Sequence, residues 1–117
     1  MKSYTDLEQS KKLAKFLPIE SADMWHHGFF ISRRMCKIEY NPPAPYHSVT
    51  PQWDCPCWSL AALLSVLEHP RCFQGDKPIY WFCGCFGKDK LYHEVEAGNP
   101  VDACYDMVMR LNELNLL

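Results

Sequence analysis

The sequence predicts an α+β fold: an antiparallel sheet of about four strands, made of two hairpins, with about three helices packed on one face. Three observations carry this expectation. Three stretches space their apolar residues at helical intervals behind capping residues, two others pair strand-like runs across a turn, and a proline-rich segment over 41–52 fits neither pattern. At 117 residues the chain reads as a single domain over 1–117, long enough for one core and short for two.

Thr5 opens a capping box with Glu8 three residues on, each side chain able to bond the other's backbone N–H. Leu7, Leu13, Ala14 and Leu17 then face a core, Glu8, Lys11, Lys12 and Lys15 face water, and Pro18 ends the helix. Ser21-Ala22-Asp23 turns the chain. Phe29, Phe30 and Ile31, then Cys36, Ile38 and Tyr40, read as two strands joined near Ser32-Arg33-Arg34, with Gly28 at a bulge. Pro42, Pro43, Pro45 and Pro51 exclude both helix interior and central strand, so 41–52 is a loop of polyproline II character.

The central stretch, Asp54 to Leu67, is the expected buried helix. Asp54 and Cys55 stand at its N-terminus, Pro56 suits the first helical position, and Leu60, Leu63, Leu64 and Leu67 fall on one face. Ser59, Ala62 and Ser65 leave the other face small. Pro70 and Gly75 break the chain before the best strand, Ile79 to Phe86, which turns through Gly87-Lys88-Asp89-Lys90 into Leu91 to Glu96. Asn99 caps a last helix with Pro100 in its first turn and Asp102 near the positive end of its dipole. Its apolar stripe is Val101, Cys104, Tyr105, Val108 and Leu111.

Composition narrows the classes of function. A hydrophobic fraction of 48% and an aromatic fraction of 14% are those of a packed protein, and a net charge of −2 gives no general pull toward nucleic acid. The N-terminus lacks the apolar core of a secretion signal, and no apolar run reaches membrane-spanning length. Seven cysteines without an export signal fit free thiols in a cytoplasmic protein better than a disulfide framework.

Two Cys-x-Cys pairs, Cys55-Pro56-Cys57 and Cys83-Gly84-Cys85, supply the four thiolates of a closed zinc site, but paired zinc ligands usually stand two to four residues apart. Cys57 before Trp58 at a helix start is also a candidate nucleophile, activated by the helix dipole as in papain-like peptidases. Gln52 would serve the oxyanion and His93 the proton transfer. With a two- or four-residue loop between the last two strands, His93 lies opposite Gly84, on the face of Phe82, Phe86, Leu91 and Val95 and away from Cys83 and Cys85. Pro42 and Pro45 form a minimal P-x-x-P pattern, and Trp25, His26, His27 and Trp53 could line a small-molecule pocket or simply pack.

Pro56-Cys57-Trp58-Ser59-Leu60-Ala61-Ala62-Leu63-Leu64, with Ser21-Ala22-Asp23-Met24, Asn99-Pro100-Val101-Asp102-Ala103 and Leu111-Asn112-Glu113-Leu114, resembles a group of small uncharacterised proteins of gut-dwelling anaerobic bacteria. Such proteins are often encoded in phage-derived or mobile regions. The resemblance implies a compact cytoplasmic domain and brings no activity, cofactor or catalytic residue with it.

The expectation is therefore a small non-catalytic cytoplasmic protein that binds another protein or itself, with no cofactor, nucleic acid or membrane partner. A thiol-dependent enzyme using Cys57, either a cysteine hydrolase or a redox protein, is the alternative. A zinc-stabilised module is a further one.

Overall fold

The computed structural model describes residues 2–27, 30–33, 55–77 and 79–117. The fold is α+β, and the described strands form two three-stranded antiparallel sheets. The chain gathers into two compact units, Tyr4–Ser59 and Met1–Ser3 with Leu60–Leu117. Cys36, the expected strand around Ile38, Gln52 and the proline-rich loop with Tyr46 and Trp53 lie outside the described residues.

In the Tyr4–Ser59 unit, helix α1 spans Leu7–Leu13. Its N-cap is Asp6 with Gln9 closing the capping box, one residue later than the Thr5–Glu8 box read from sequence. Thr5 is unavailable because its side chain is buried and its hydroxyl is bonded inside the unit. A 3-10 turn over Ile19–Ser21 leads to β1, Met24–His27, which pairs with β2, Phe30–Arg33, on one side and β3, Cys55–Cys57, on the other. Phe30 and Ile31 are extended as expected, whereas Ser32 and Arg33, expected at the turn, continue β2, whose described partner is the earlier strand β1.

The expected helix start at Asp54 is corrected too, since Cys55-Pro56-Cys57 is extended and pairs with His26, Trp25 and Met24. Proline is tolerated there because β3 is the sheet's edge among the described strands, where a missing N–H costs no ladder bond. Trp58 follows, fully buried, its indole N–H donating to Ser21 Oγ at 2.9 Å. Sequestering that ring contributes about 4–6 kcal/mol of transfer free energy.

In the other unit, α2 spans Leu60–Val66, and β4 (Glu68–Gln74), β5 (Trp81–Phe86) and β6 (Tyr92–Ala97) form a sheet in that order. Strand β4 begins two residues after the helix, where sequence showed only a break. Pro70 and the left-handed His69 (φ 49°) sit in a register irregularity between Glu68 and Arg71, on the edge strand where a bulge does least harm.

Helix α3, Pro100–Glu113, forms as its sequence predicts. The Asn99 side chain accepts from the Asp102 N–H at 2.9 Å, Pro100 occupies the first turn, and Val101, Cys104, Tyr105, Val108 and Leu111 are all buried. Left-handed Asn115 (φ 58°) reverses the chain, so that Leu116 donates its N–H to Leu111 O. Leu116 O then receives the Lys88 N–H at 3.0 Å.

Candidate functional site

Cys57 is where the first unit concentrates its polar contacts. Its thiol donates to Thr5 O at 3.3 Å, and the same carbonyl lies 2.9 Å from His26 Nε2. The Thr5 hydroxyl accepts the Trp58 N–H at 3.1 Å and lies 2.7 Å from Ser10 Oγ and 3.8 Å from Cys57 Sγ. Thr5 therefore joins α1, β1 and β3 through one residue. Cys57 is fully buried, and burial above all pushes its thiol up to about 11. A thiol so raised is protonated at neutral pH, which lowers the share present as the reactive thiolate. The expected dipole activation does not arise, because Cys57 ends a strand and α2 starts only at Leu60.

His93 belongs to the other unit, on β6, and its surroundings correct the expected register. Directly opposite it is Cys85, while Gly84 faces Glu94. The β5–β6 turn has three residues, Lys88, Asp89 and Lys90, closed by Gly87 N–H to Leu91 O at 3.1 Å and Lys90 N–H to Gly87 O at 2.9 Å. An odd loop moves the partner strand by one residue and exchanges its two faces. His93 and Val95 thereby share the inner face with Cys83 and Cys85. The imidazole Nε2 lies 3.1 Å from Asp89 Oδ2, which places a carboxylate beside it. Asp89 titrates below its usual range, first because it accepts the Leu91 N–H and then through His93.

The four cysteines weighed for zinc divide between the units, Cys55 and Cys57 in one and Cys83 and Cys85 in the other. Among the described residues, no group of three or more His, Cys, Asp or Glu is arranged to hold a metal ion. The Cys85 thiol is likewise pushed up to about 11, by burial first and then by Cys83 and Glu68. His26 and Trp25 are buried in β1 rather than lining an open pocket. A cavity of about 150 Å³ near Val66, Leu67, Leu111 and Leu116 is lined mainly by apolar residues, with Glu68 and Lys88 beside them.

The outer face of β4–β5–β6 is the feature that sequence reading missed. Its three cross-strand rows are Phe73–Phe82–Glu96, Arg71–Gly84–Glu94 and Glu68–Phe86–Tyr92. Phe73 stacks on Phe82 with ring centres 5.3 Å apart, and Phe86 meets Tyr92 edge-on at 5.7 Å. The Arg71 guanidinium lies 5.6 Å from the centre of the Phe73 ring. Gly84 leaves room for the Tyr92 ring, which lies where a β-carbon would be, and the Tyr92 hydroxyl donates to Glu94 Oε2 at 3.0 Å. Phe73, Phe86 and Tyr92 remain 37%, 38% and 42% exposed on this face. The sequence signal was the alternation of Arg71, Cys72 and Phe73, hidden behind Pro70.

No protein-family model, no curated protein and no solved structure matches the chain. Among the described residues, no helix is long and apolar enough to cross a membrane.

Proposed function

We propose that this protein is a small non-catalytic interaction protein that self-associates through the outer face of β4–β5–β6, the occupant of that face being a second copy of the chain. The observation that carries the reading is the aromatic cluster on one sheet face, exposed Phe73, Phe86 and Tyr92 with half-buried Phe82. Its charges favour a second copy in particular. Arg71 lies on one edge strand, while Glu94 and Glu96 lie on the other. Two such faces related by a two-fold axis along the strands set Arg71 of each copy over the acidic edge of its mate, so the pattern is self-complementary.

The face measures about 20 Å by 14 Å from strand rise and spacing, smaller than the roughly 800 Å² per partner of a standard interface. The dimer is accordingly weak and exchanging. The net charge of −2 and the acidic β6 edge speak against a polyanion as the occupant. A cytoplasmic setting is part of the proposal, supported by six free cysteines among the described residues.

Sedimentation velocity of reduced protein over a concentration series tests this. A dimer fraction that rises with concentration, is lost in Phe73→Ser and Arg71→Glu, and returns in Arg71→Glu combined with Glu94→Arg is the expected result. A monomer at every concentration, or a dimer indifferent to all three variants, overturns it.

A further inference from the structure

The inner face of the same sheet carries thiols that the interaction reading does not use. Cys72 on β4 stands directly opposite Cys83 on β5. Directly opposed residues of an antiparallel pair have Cα atoms about 4.5–5.5 Å apart, inside the roughly 4.4–6.8 Å that a disulfide spans. Cys104 on α3 influences the titration of both thiols. Cys83 and Cys104 are fully buried, whereas Cys72 is half-buried on an edge strand and gives the cluster its access to solvent. All three are free thiols in this structure.

We propose that Cys72 and Cys83 are an oxidation site, closing to an internal disulfide by exchange with a small aliphatic disulfide, with Cys72 as the entry thiol and Cys83 as the resolving thiol. The Cys72 thiolate attacks one sulfur of the reagent, whose S–S bond breaks, and the first alkyl thiolate leaves. The Cys83 thiolate then attacks the Cys72 sulfur, forming the Cys72–Cys83 bond and expelling the second alkyl thiolate. Two electrons pass to the reagent, and the protons given up by the two cysteines convert its halves to two free thiols.

Cys104 is a positioning residue in this scheme. Its interaction with Cys83 holds that thiol below its usual value, while its own is pushed far up. Burial raises Cys72. Entry is bimolecular, whereas closure joins two directly opposed residues, so closure is the fast step and the mixed disulfide does not accumulate.

The test is incubation of the reduced full-length protein with oxidised glutathione, acid quenching, and mass mapping after cleavage at the aromatic residues between the two cysteines, Phe73, Tyr80, Trp81 and Phe82. The expected product joins the Cys72 and Cys83 peptides with loss of two hydrogens and no lasting glutathione adduct at either. Cys83→Ser is expected to stop at a glutathione adduct on Cys72. Cys104→Ser is expected to lengthen the life of that adduct without preventing closure. Cys72→Ser, at a half-buried position and so tolerated by the fold, is expected to give neither adduct nor cross-link at Cys83. Absence of the cross-link in the unaltered protein overturns the proposal, as does a bond from Cys72 to Cys104 or a Cys83 adduct that survives in Cys72→Ser.

Discussion

Replacing Cys57 with serine should flatten the alkaline loss of stability, and the size of the effect follows from the burial of the thiol. Burial lifts Cys57 from an ordinary 9.0 to about 11, with hydrogen bonds from Thr5 and Ser10 only partly offsetting it. Below about pH 9 the thiol is protonated both folded and unfolded, and the contribution of its burial is intact. Between that pH and about 11 the unfolded chain releases a proton that the folded chain keeps, so stability falls with rising pH by about 1.4 kcal/mol per unit. A serine hydroxyl does not ionise there and can still donate to Thr5 O. Cys85, also raised to about 11, contributes the same slope to both proteins and cancels in the difference. Urea unfolding followed by tryptophan fluorescence, with a phosphine reductant present, should be run near pH 8 and near pH 10.5. The gap between Cys57→Ser and the unaltered protein should shift by about 2 kcal/mol in favour of the serine variant. A gap that does not move with pH would refute the argument. It would mean that the folded thiol ionises as readily as a free one, and Cys57 would return as a candidate nucleophile.

Asn99→Ala removes the only side-chain acceptor shown for the Asp102 N–H and should lower stability by about 1 kcal/mol, read as a lower thermal midpoint. An unchanged midpoint would mean that water replaces the cap without loss. Gly84→Ala should also destabilise, because the new methyl group occupies the place of the Tyr92 ring and breaks its bond to Glu94. The sign is diagnostic: in a strand with free space the same change would stabilise by about 0.5–1 kcal/mol. A higher thermal midpoint would show that Tyr92 does not rest over Gly84.

What could be read in advance was what is decided locally. Helix α3 carries its cap, its first-turn proline and its apolar stripe within fifteen consecutive residues, Asn99 to Glu113, so nothing distant had to be known. At α1 two capping residues compete, and the choice of Asp6 depends on Thr5 being held by Trp58 and Ser10, the first of which lies over fifty residues away in sequence. The stretch 55–57 satisfies the rules for a helix start and for an edge strand alike. Pairing with β1 decides between them, and that is a tertiary fact. Sealing of the Cys57 thiol follows from the same pairing, which makes it a buried donor to Thr5 O at the end of a strand rather than a thiol at a helix start.

The register of β5 against β6 shows most clearly how a local ambiguity becomes a functional one. Alternation within each strand was legible, but which faces coincide depends on the number of residues in the turn. A three-residue hairpin loop needs a left-handed residue in its last position, and glycine or asparagine there would have announced it. This chain places Lys90 at that position, with φ 65°, and its nearest glycine, Gly87, precedes the loop. The odd count therefore carried no sequence signal. Shifting the partner strand by one residue brings His93 beside Cys85 and sends Tyr92, Glu94 and Glu96 to the face of Phe82 and Phe86. With an even loop, Tyr92 could not lie over Gly84 and meet Phe86, and the acidic edge would point inward. The placement of Tyr92, Glu94 and Glu96 beside Phe82 and Phe86 is thus a consequence of the odd turn length rather than of composition.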